Sequence, residues 1–168
     1  MKKLIISVKD VRNFLISILI PLLVGATSYM LSRIIGKIAN VAMYSDLIKP
    51  TFAPPALVFP IVWTILYILM GISAYKIWKK GYYKIPVRDS LFYYNLQLFL
   101  NFIWSILFFG LGLRLTALID LLLLIVVVII MNLKFYKLNK KTAYLNLPYL
   151  LWLTYAGVLN YYVWMLNK

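Results

Sequence analysis

Five apolar segments of about 20 residues each divide the chain, and they constrain the fold more than any other feature. A helix needs ~20 apolar residues to cross the hydrocarbon core of a bilayer. The segments lie near 13–32, 57–76, 91–110, 115–134 and 144–165. Since most links between them are short, the pattern predicts a single domain, 1–168, that is an all-α integral membrane bundle of five transmembrane helices.

The same segments disfavour a β-barrel and a soluble fold. Residues 121–131 form one unbroken apolar run, whereas the strands of a barrel alternate polar and apolar residues. Hydrophobic residues make up 64% of the chain and charged residues only 13%, which is too apolar for one soluble core. The first segment follows a basic start, as a signal peptide does, but its apolar stretch continues to Leu31 without a clear cleavage site. We therefore expect it to be retained as a span.

The positive charge of the chain predicts its orientation. Lys and Arg number 18 against four acids, for a net charge of +14, and they flank the apolar segments. This placement favours a membrane surface, and not nucleic acid, as their partner. Thirteen of them lie in the N-terminal region and the second and fourth links, against five in the remaining parts. By the positive-inside rule we expect a cytosolic N-terminus, and the Lys-, Ile- and Asn-rich composition indicates a bacterial plasma membrane.

Several catalytic site types are excluded by residues that the sequence lacks. The chain contains no His, no Cys and no Glu. A Ser-His-Asp triad, a Cys-His pair and a His-ligated metal site are therefore impossible within one chain. We expect no metal site and no required cofactor.

The link 33–56 is the longest and contains the motif KPTFAPP at 49–55. Each proline fixes its own φ and restricts the residue before it, so the motif is stiff and extended. One interpretation is a plain helix-start signal, because Pro55 suits the first turn of the second span. The other is a lid over the mouth of the bundle, carrying the aromatic side chains of Tyr44 and Phe52.

Three spans share a pattern in which aromatic residues and amide or small residues recur at helical spacing. These faces are formed by Trp63 and Tyr67, by Gln97, Asn101 and Trp104, and by Trp152, Ala156 and Asn160. Polar groups in hydrocarbon are costly unless they face the bundle interior. A ligand cavity and plain interhelical packing both explain the pattern, whereas Trp78, Trp164 and the tyrosines at 82–83 are typical of an interfacial aromatic belt.

Asp120 is the only acid within a span. An intramembrane carboxylate suggests function, but it can equally serve packing. In the packing alternative, Asp120 would bond the amide of Gln97 or Asn101, or pair with Arg114.

Four blocks of the sequence resemble the translocator protein family, TspO/MBR, also called tryptophan-rich sensory proteins. The blocks, in order over about 49–166, are KPTFAPPALVFPIVWTILYILMG, QLFLNFIWSILFFG, ALIDLLLL and LPYLLWLTYAGVLNYYVWMLN. The resemblance implies a five-helix fold, a cavity closed by the loop after the first helix, a homodimer, and binding of tetrapyrroles such as protoporphyrin. It implies a membrane receptor or translocator with a regulatory or stress role.

The resemblance also assigns roles to individual positions. Trp63 and Trp152 match two cavity tryptophans that some bacterial relatives are thought to use in light- and oxygen-dependent porphyrin breakdown, which is the alternative, enzymatic function. Ala156 matches a small residue of the ligand site. Family positions around the cavity or at the family acid are occupied by Tyr44, Pro54, Pro55, Asn101, Trp104 and Asp120.

Two departures from the family pattern bear on the ligand. Phe52 stands where many members have Trp, and Met165 stands where the sterol motif of animal members has a basic residue, which disfavours a sterol ligand. The absence of His and Cys removes two of the usual iron ligands, so a metal-free tetrapyrrole is favoured over haem. We expect its ring to contact Trp63 and Trp152 and its carboxylates to meet Lys49.

Overall fold

The structure is a computed structural model and describes residues 8–168. This part of the chain is helical and contains no β-strand. Its helices are α1 (Val8–Ile38), α2 (Val58–Trp78), α3 (Ile85–Ser105), α4 (Arg114–Leu138), the short α5 (Lys140–Tyr144) and α6 (Leu147–Leu166). A π-helical turn, Ile106–Gly110, extends α3, and one 3₁₀ turn, Tyr44–Asp46, lies in the first link.

The all-α membrane fold with five long helices is confirmed. α1 to α4 are each long and apolar enough to cross a membrane. α6 has 20 residues, which at ~1.5 Å per residue reach about 30 Å, the thickness of the hydrocarbon core of a bilayer. The bounds differ from the sequence prediction mainly in the first link, because α1 continues to Ile38 and shortens the predicted loop 33–56 to 39–57.

Ion pairs and hydrogen bonds between neighbouring elements show which helix ends lie together. Asp10 near the start of α1 pairs with Lys79 at the end of α2 at 3.5 Å, and Asp89 in α3 pairs with Lys134 in α4. We call this end, which also carries α5, the lysine end. At the opposite end, which we call the lid end, the loop 39–57 contacts the last turn of α6 through Ile48 and Asn167.

The long helices pack as an incomplete ring. α1 packs on α2 and α3, α3 on α4, and α4 on α6. Between α2 and α6 the backbones stay apart, and aromatic side chains such as Trp63 and Tyr149 make the contact. This seam between α2 and α6 is where the bundle is most open.

Close backbone approach holds α1 against α2. A Cβ at Gly71 would lie 2.5 Å from both Ile18 Cα and Ser17 O, so only glycine permits this crossing. Further along α1, a Cβ at Gly36 would lie 2.8 Å from Phe109 O in the π-helical turn. Gly36 ends a run of small residues spaced four apart, Ser28, Ser32 and Gly36, and all three are buried. Small side chains thus bring α1 close to the rest of the bundle, although the sequence has no Gly-x-x-x-Gly.

Candidate functional site

An open groove of about 540 Å³ lies at the seam between α2 and α6. Its lining side chains are almost all apolar or aromatic, and they come from the lid loop, α2 and α6. They are Pro54, Val62, Ile65, Leu66, Pro148, Leu151, Trp152 and Tyr155. The volume lies within the ~300–1,000 Å³ typical of small-molecule sites.

Trp152 lines this groove and has an unused hydrogen-bond donor beneath the groove surface. Its indole Nε1 is buried and has no hydrogen-bond partner within residues 8–168. The ring packs edge-on against Phe59, with centroids 5.9 Å apart, and tilted against Tyr155 at 5.4 Å. A buried donor without a partner costs free energy, so an acceptor that reached Nε1 would bind there with a gain. Because Nε1 is inaccessible to solvent, a ligand in the groove must displace a neighbouring side chain to reach it.

The lid loop is held over this end of the bundle by side chains that bond backbone groups. Asn167 accepts from Ile48 N at 3.0 Å and donates to Ile48 O at 2.8 Å, and we call this pair of bonds the lid clasp. Tyr155 Oη donates to Phe52 O at 3.0 Å. Lys49 Nζ donates to Tyr44 O at 3.0 Å and to Ser45 O at 2.8 Å.

These bonds give Lys49 a structural role within the lid loop. The sequence predicts it as a partner for a ligand carboxylate, but two of its three N–H donors are used within the loop, and its ammonium lies 5.2 Å from the centre of the Tyr44 ring. The structure therefore places Lys49 as a brace of the lid loop and not among the groove-lining residues.

The side chains of Tyr44 and Phe52, both in the lid loop, pack against different parts of the bundle. Tyr44 is half-buried and packs edge-on against Phe59 and Phe109. Burial raises the pKa of its hydroxyl above the ordinary value, with a smaller contribution from Tyr155. Phe52 is 44% exposed and packs against Tyr162 and Tyr155, so it covers the outer side of α6. Neither residue lines the groove.

The two adjacent prolines of the motif have separate positions. Pro54 lines the groove, whereas Pro55 is exposed and its carbonyl accepts a hydrogen bond from Val58 N at 2.9 Å. The prediction that Pro55 lies in the first turn of the second span is wrong, because α2 begins at Val58, with Leu57 as its N-cap. Of the two prolines, only Pro54 forms part of the groove wall.

A polar network crosses the bundle centre beside the groove. Tyr67 Oη lies 3.1 Å from Asn101 Oδ1, and Asn101 Nδ2 donates to Tyr149 Oη at 3.2 Å. Tyr149 in turn donates to Gln97 Oε1 at 2.8 Å. All four residues are buried, so the network satisfies polar groups that lipid could not. It joins α2, α3 and α6.

Tyr149 is the member of this network that the sequence pattern did not single out. The only signal was its position three residues before Trp152 in α6, which does not distinguish a central tyrosine from one in an aromatic belt. Trp63 covers the network. Its ring is stacked on Tyr67, with centroids 5.4 Å apart, and meets Tyr149 edge-on at 6.1 Å.

A second polar connection joins α3, α4 and α6 away from the groove. Trp104 Nε1 donates to Asn160 Oδ1 at 3.1 Å, and Asn160 Nδ2 donates to the backbone carbonyl of Arg114 at 2.9 Å. Because both side chains are buried and their groups are used between helices, this connection serves packing.

Ala156 and Asp120 also lie outside the groove lining. Ala156 is buried one turn beyond Trp152 in α6. Asp120 is half-buried, and within residues 8–168 its Oδ2 has no hydrogen-bond partner. Neither an amide bond to Gln97 or Asn101 nor an ion pair with Arg114 is formed in this part of the chain, so the packing alternative for Asp120 is not realised.

Comparison with known proteins finds members of one family that match most of the chain. Residues 17–165 match the model of the TspO/MBR family. A tryptophan-rich protein TspO of Chlorobaculum tepidum is 38% identical over 124 residues, which cover 74% of this chain and 78% of that protein. A protein of the same name from Archaeoglobus fulgidus is 40% identical over 124 residues, covering 74% and 79%. A translocator protein of Sus scrofa is 37% identical over 152 residues, covering 89% and 87%.

Proposed function

Since this chain belongs to the TspO/MBR family and has a membrane sensory or translocator role, we propose that its ligand is a metal-free tetrapyrrole, such as protoporphyrin, bound in the groove between α2 and α6. The observation that carries the proposal is the groove of about 540 Å³, which Trp152 lines with an aromatic ring whose buried N–H has no partner within residues 8–168. A flat aromatic ligand with peripheral acceptors matches both properties.

The lining of the groove supports a metal-free ring over haem. Haem iron is held in proteins by His, Cys, Met or Tyr. Among the lining residues only Tyr155 belongs to that set, and its hydroxyl already donates to Phe52 O. Binding of iron there would require this bond to the lid loop to break.

Quenching of tryptophan fluorescence by protoporphyrin in detergent or nanodiscs tests the proposal. Ile65→Trp places an indole inside the groove at a lining position that is 54% exposed. We expect it to lower the affinity by at least about tenfold, because the added ring occupies the site. Ile119→Trp is the matched control, since Ile119 is 61% exposed on α4 and does not line the groove.

A second variant tests the indole donor itself. Trp152→Phe keeps an aromatic ring and removes the N–H, so we expect a two- to tenfold lower affinity, equal to about 0.5–1.5 kcal/mol for one hydrogen bond. The proposal would be abandoned if protoporphyrin quenched fluorescence with the same affinity in the wild type, in Ile65→Trp and in Ile119→Trp.

The alternative is that the protein degrades the bound porphyrin with light and oxygen, using Trp63 and Trp152. One observation favours it: Trp63 is stacked on Tyr67, with ring centroids 5.4 Å apart, and directly follows the groove-lining Val62 in α2. Illumination of the complex separates the two functions. A new bilin-like absorption that is lost in Trp63→Phe and Trp152→Phe would support the enzyme, whereas equal bleaching in all variants would indicate nonspecific photochemistry.

We also propose that the lysine end faces the cytosol of a bacterial plasma membrane. The support is the charge asymmetry between the two ends. Because the chain has no Cys, a single Cys at position 84 or 168 can be labelled selectively by a membrane-impermeant maleimide in intact cells. We expect labelling at 168 and none at 84, and the reverse result would invert the orientation.

A further inference from the structure

A second, narrower crevice lies at the lysine end, on the side of α6 that faces α4, whereas the groove lies on the side that faces α2. It has a volume of about 220 Å³ and is formed by the end of α4, by α5 and by the start of α6. Its lining includes Leu133 and Tyr136 of α4, Tyr144 of α5, and Leu147 and Leu150 of α6. This volume lies below the ~300–1,000 Å³ of typical small-molecule sites, so it suits a single extended chain more than a ring system.

The crevice faces the surrounding bilayer. Leu133 is 60% exposed and Leu147 41%, and they belong to the long helices α4 and α6, whereas Tyr144, 57% exposed, ends the short α5. The lining is apolar apart from Asn132 and the two tyrosine hydroxyls. A hydrocarbon chain entering from the bilayer would therefore meet mostly apolar side chains.

Positive charge stands at the mouth of the crevice. Lys140 Nζ lies 5.4 Å from the centre of the Tyr136 ring, and that ring packs edge-on against Tyr144 at 6.2 Å. Since both tyrosines line the crevice, the ammonium group is tied directly to its edge. Lys137 and Lys141 are exposed near it in the sequence.

No side-chain carboxylate within residues 8–168 forms an ion pair with these three lysines. Its four acids are Asp10, Asp46, Asp89 and Asp120. Asp10 pairs with Lys79 and Asp89 with Lys134, whereas Asp46 bonds Met43 N and Ser45 in the lid loop. Asp120 lies in α4 and pairs with none of the lysines in the described part of the chain. An anion that neutralises Lys137, Lys140 and Lys141 must come from outside the protein.

We propose that this crevice is a binding site for an anionic phospholipid, with an acyl chain between α4 and α6 and the headgroup phosphate on Lys137, Lys140 and Lys141. Basic pockets between transmembrane helices are suited to anionic lipid headgroups. The apolar crevice matches the acyl chain of such a lipid, and the lysines match its phosphate. The proposal depends on both features occurring together.

Lipid occupancy of the purified full chain can be counted by native mass spectrometry after adding dioleoylphosphatidylglycerol or dioleoylphosphatidylcholine. We expect retention of the anionic lipid over the zwitterionic one. Each lysine near a membrane surface contributes about fivefold to such binding, so Lys140→Gln/Lys141→Gln should lower the affinity by about 25-fold. The matched control is Lys80→Gln/Lys84→Gln, which removes the same charge from exposed positions at the same end.

Two further arms separate a lipid from other occupants. Leu147→Trp fills the crevice without changing charge and should also abolish retention, whereas soluble glycerol phosphate should not compete with the lipid. Equal retention in the wild type, in Lys140→Gln/Lys141→Gln and in Leu147→Trp would overturn the proposal. So would competition by glycerol phosphate at equal concentration, which would indicate a phosphate site, or a change of oligomeric state in Leu147→Trp, which would indicate a second copy of this chain. Size-exclusion elution and thermal unfolding in detergent, compared with the wild type, check that each variant is folded without relying on any ligand.

Discussion

The two ends of this bundle are held together by different means. At the lysine end, links are short, α1 crosses α2 with its backbone against Gly71, and two ion pairs lie at the surface. At the lid end, the loop 39–57 is held by a few neutral or charged side chains that bond backbone groups, above all Asn167 at Ile48. The first arrangement depends on packing that cannot be undone locally, whereas the second can open by breaking a few hydrogen bonds. This difference places the movable part of the molecule beside the groove.

The largest effect is expected from Gly71→Ala, which attacks the packed crossing. The new Cβ would lie 2.5 Å from backbone atoms of α1, so the helices must separate, at a cost of about 1–3 kcal/mol in the free energy of unfolding. Unfolding by sodium dodecyl sulfate titration measures it. Gly157→Ala is the control, because its Cβ would meet only Ile125 and Leu121 side chains at 3.9 Å, and we expect no loss of stability there. Equal losses in both variants would show that close approach is not the cause.

The next effect is expected from Asn167→Ala, which removes both bonds of the lid clasp. Each bond contributes about 0.5–1.5 kcal/mol, and the loss should fall on the loop instead of on global unfolding. Hydrogen exchange should therefore become faster at residues 44–53 and stay unchanged in α4. Asn167→Asp keeps the acceptor for Ile48 N and should lie between the two. Unchanged exchange in the loop would mean that other contacts hold the lid.

A smaller effect is expected from Lys49→Met, which removes two hydrogen bonds to loop carbonyls. If Lys49 only braces the loop, the variant should weaken protoporphyrin and its dimethyl ester by the same factor. If it also meets ligand carboxylates, as the sequence suggests, only the free acid should lose affinity, because the ester carries no charge. Titrating both ligands against the wild type and the variant decides between these roles.

The smallest effect is expected from Asp89→Asn at the lysine end. Its partner Lys134 is accessible to solvent, and exposed ion pairs contribute little to stability. We expect the melting temperature in detergent to stay within experimental scatter, and any residual difference to vanish at high salt. A clear decrease that persists in salt would show that this end also depends on its ion pairs.

Much of the fold can be predicted because the bilayer limits the choices. Any segment such as 121–131 must be helical in lipid, where every backbone polar group needs an internal partner. The side chains of Gln97, Asn101 and Trp104 in the third span and of Asn160 in the fifth were likewise expected to point inward, because exposed amides in hydrocarbon are costly. Buried positions for all four agree with that reasoning.

The partners of these residues could not be predicted. The sequence alone does not tell that Trp104 bonds Asn160 across the α3–α6 contact, or that Tyr149 bonds Gln97, because these pairs lie more than 50 residues apart in the chain. The same limit applies to Lys49, because the sequence does not tell that its ammonium bonds two carbonyls of its own loop.

By itself, the sequence determined the spans, the charged end and the stiff entry into α2, because each depends on local composition read against a bilayer of fixed thickness. Only the tertiary structure decided which of these tryptophans lines the open groove. Trp63 and Trp152 look alike in the sequence, but Trp63 is stacked on Tyr67, while Trp152 lies where α2 and α6 leave the ring of helices open. That opening is a property of how five helices pack together, and no single segment encodes it.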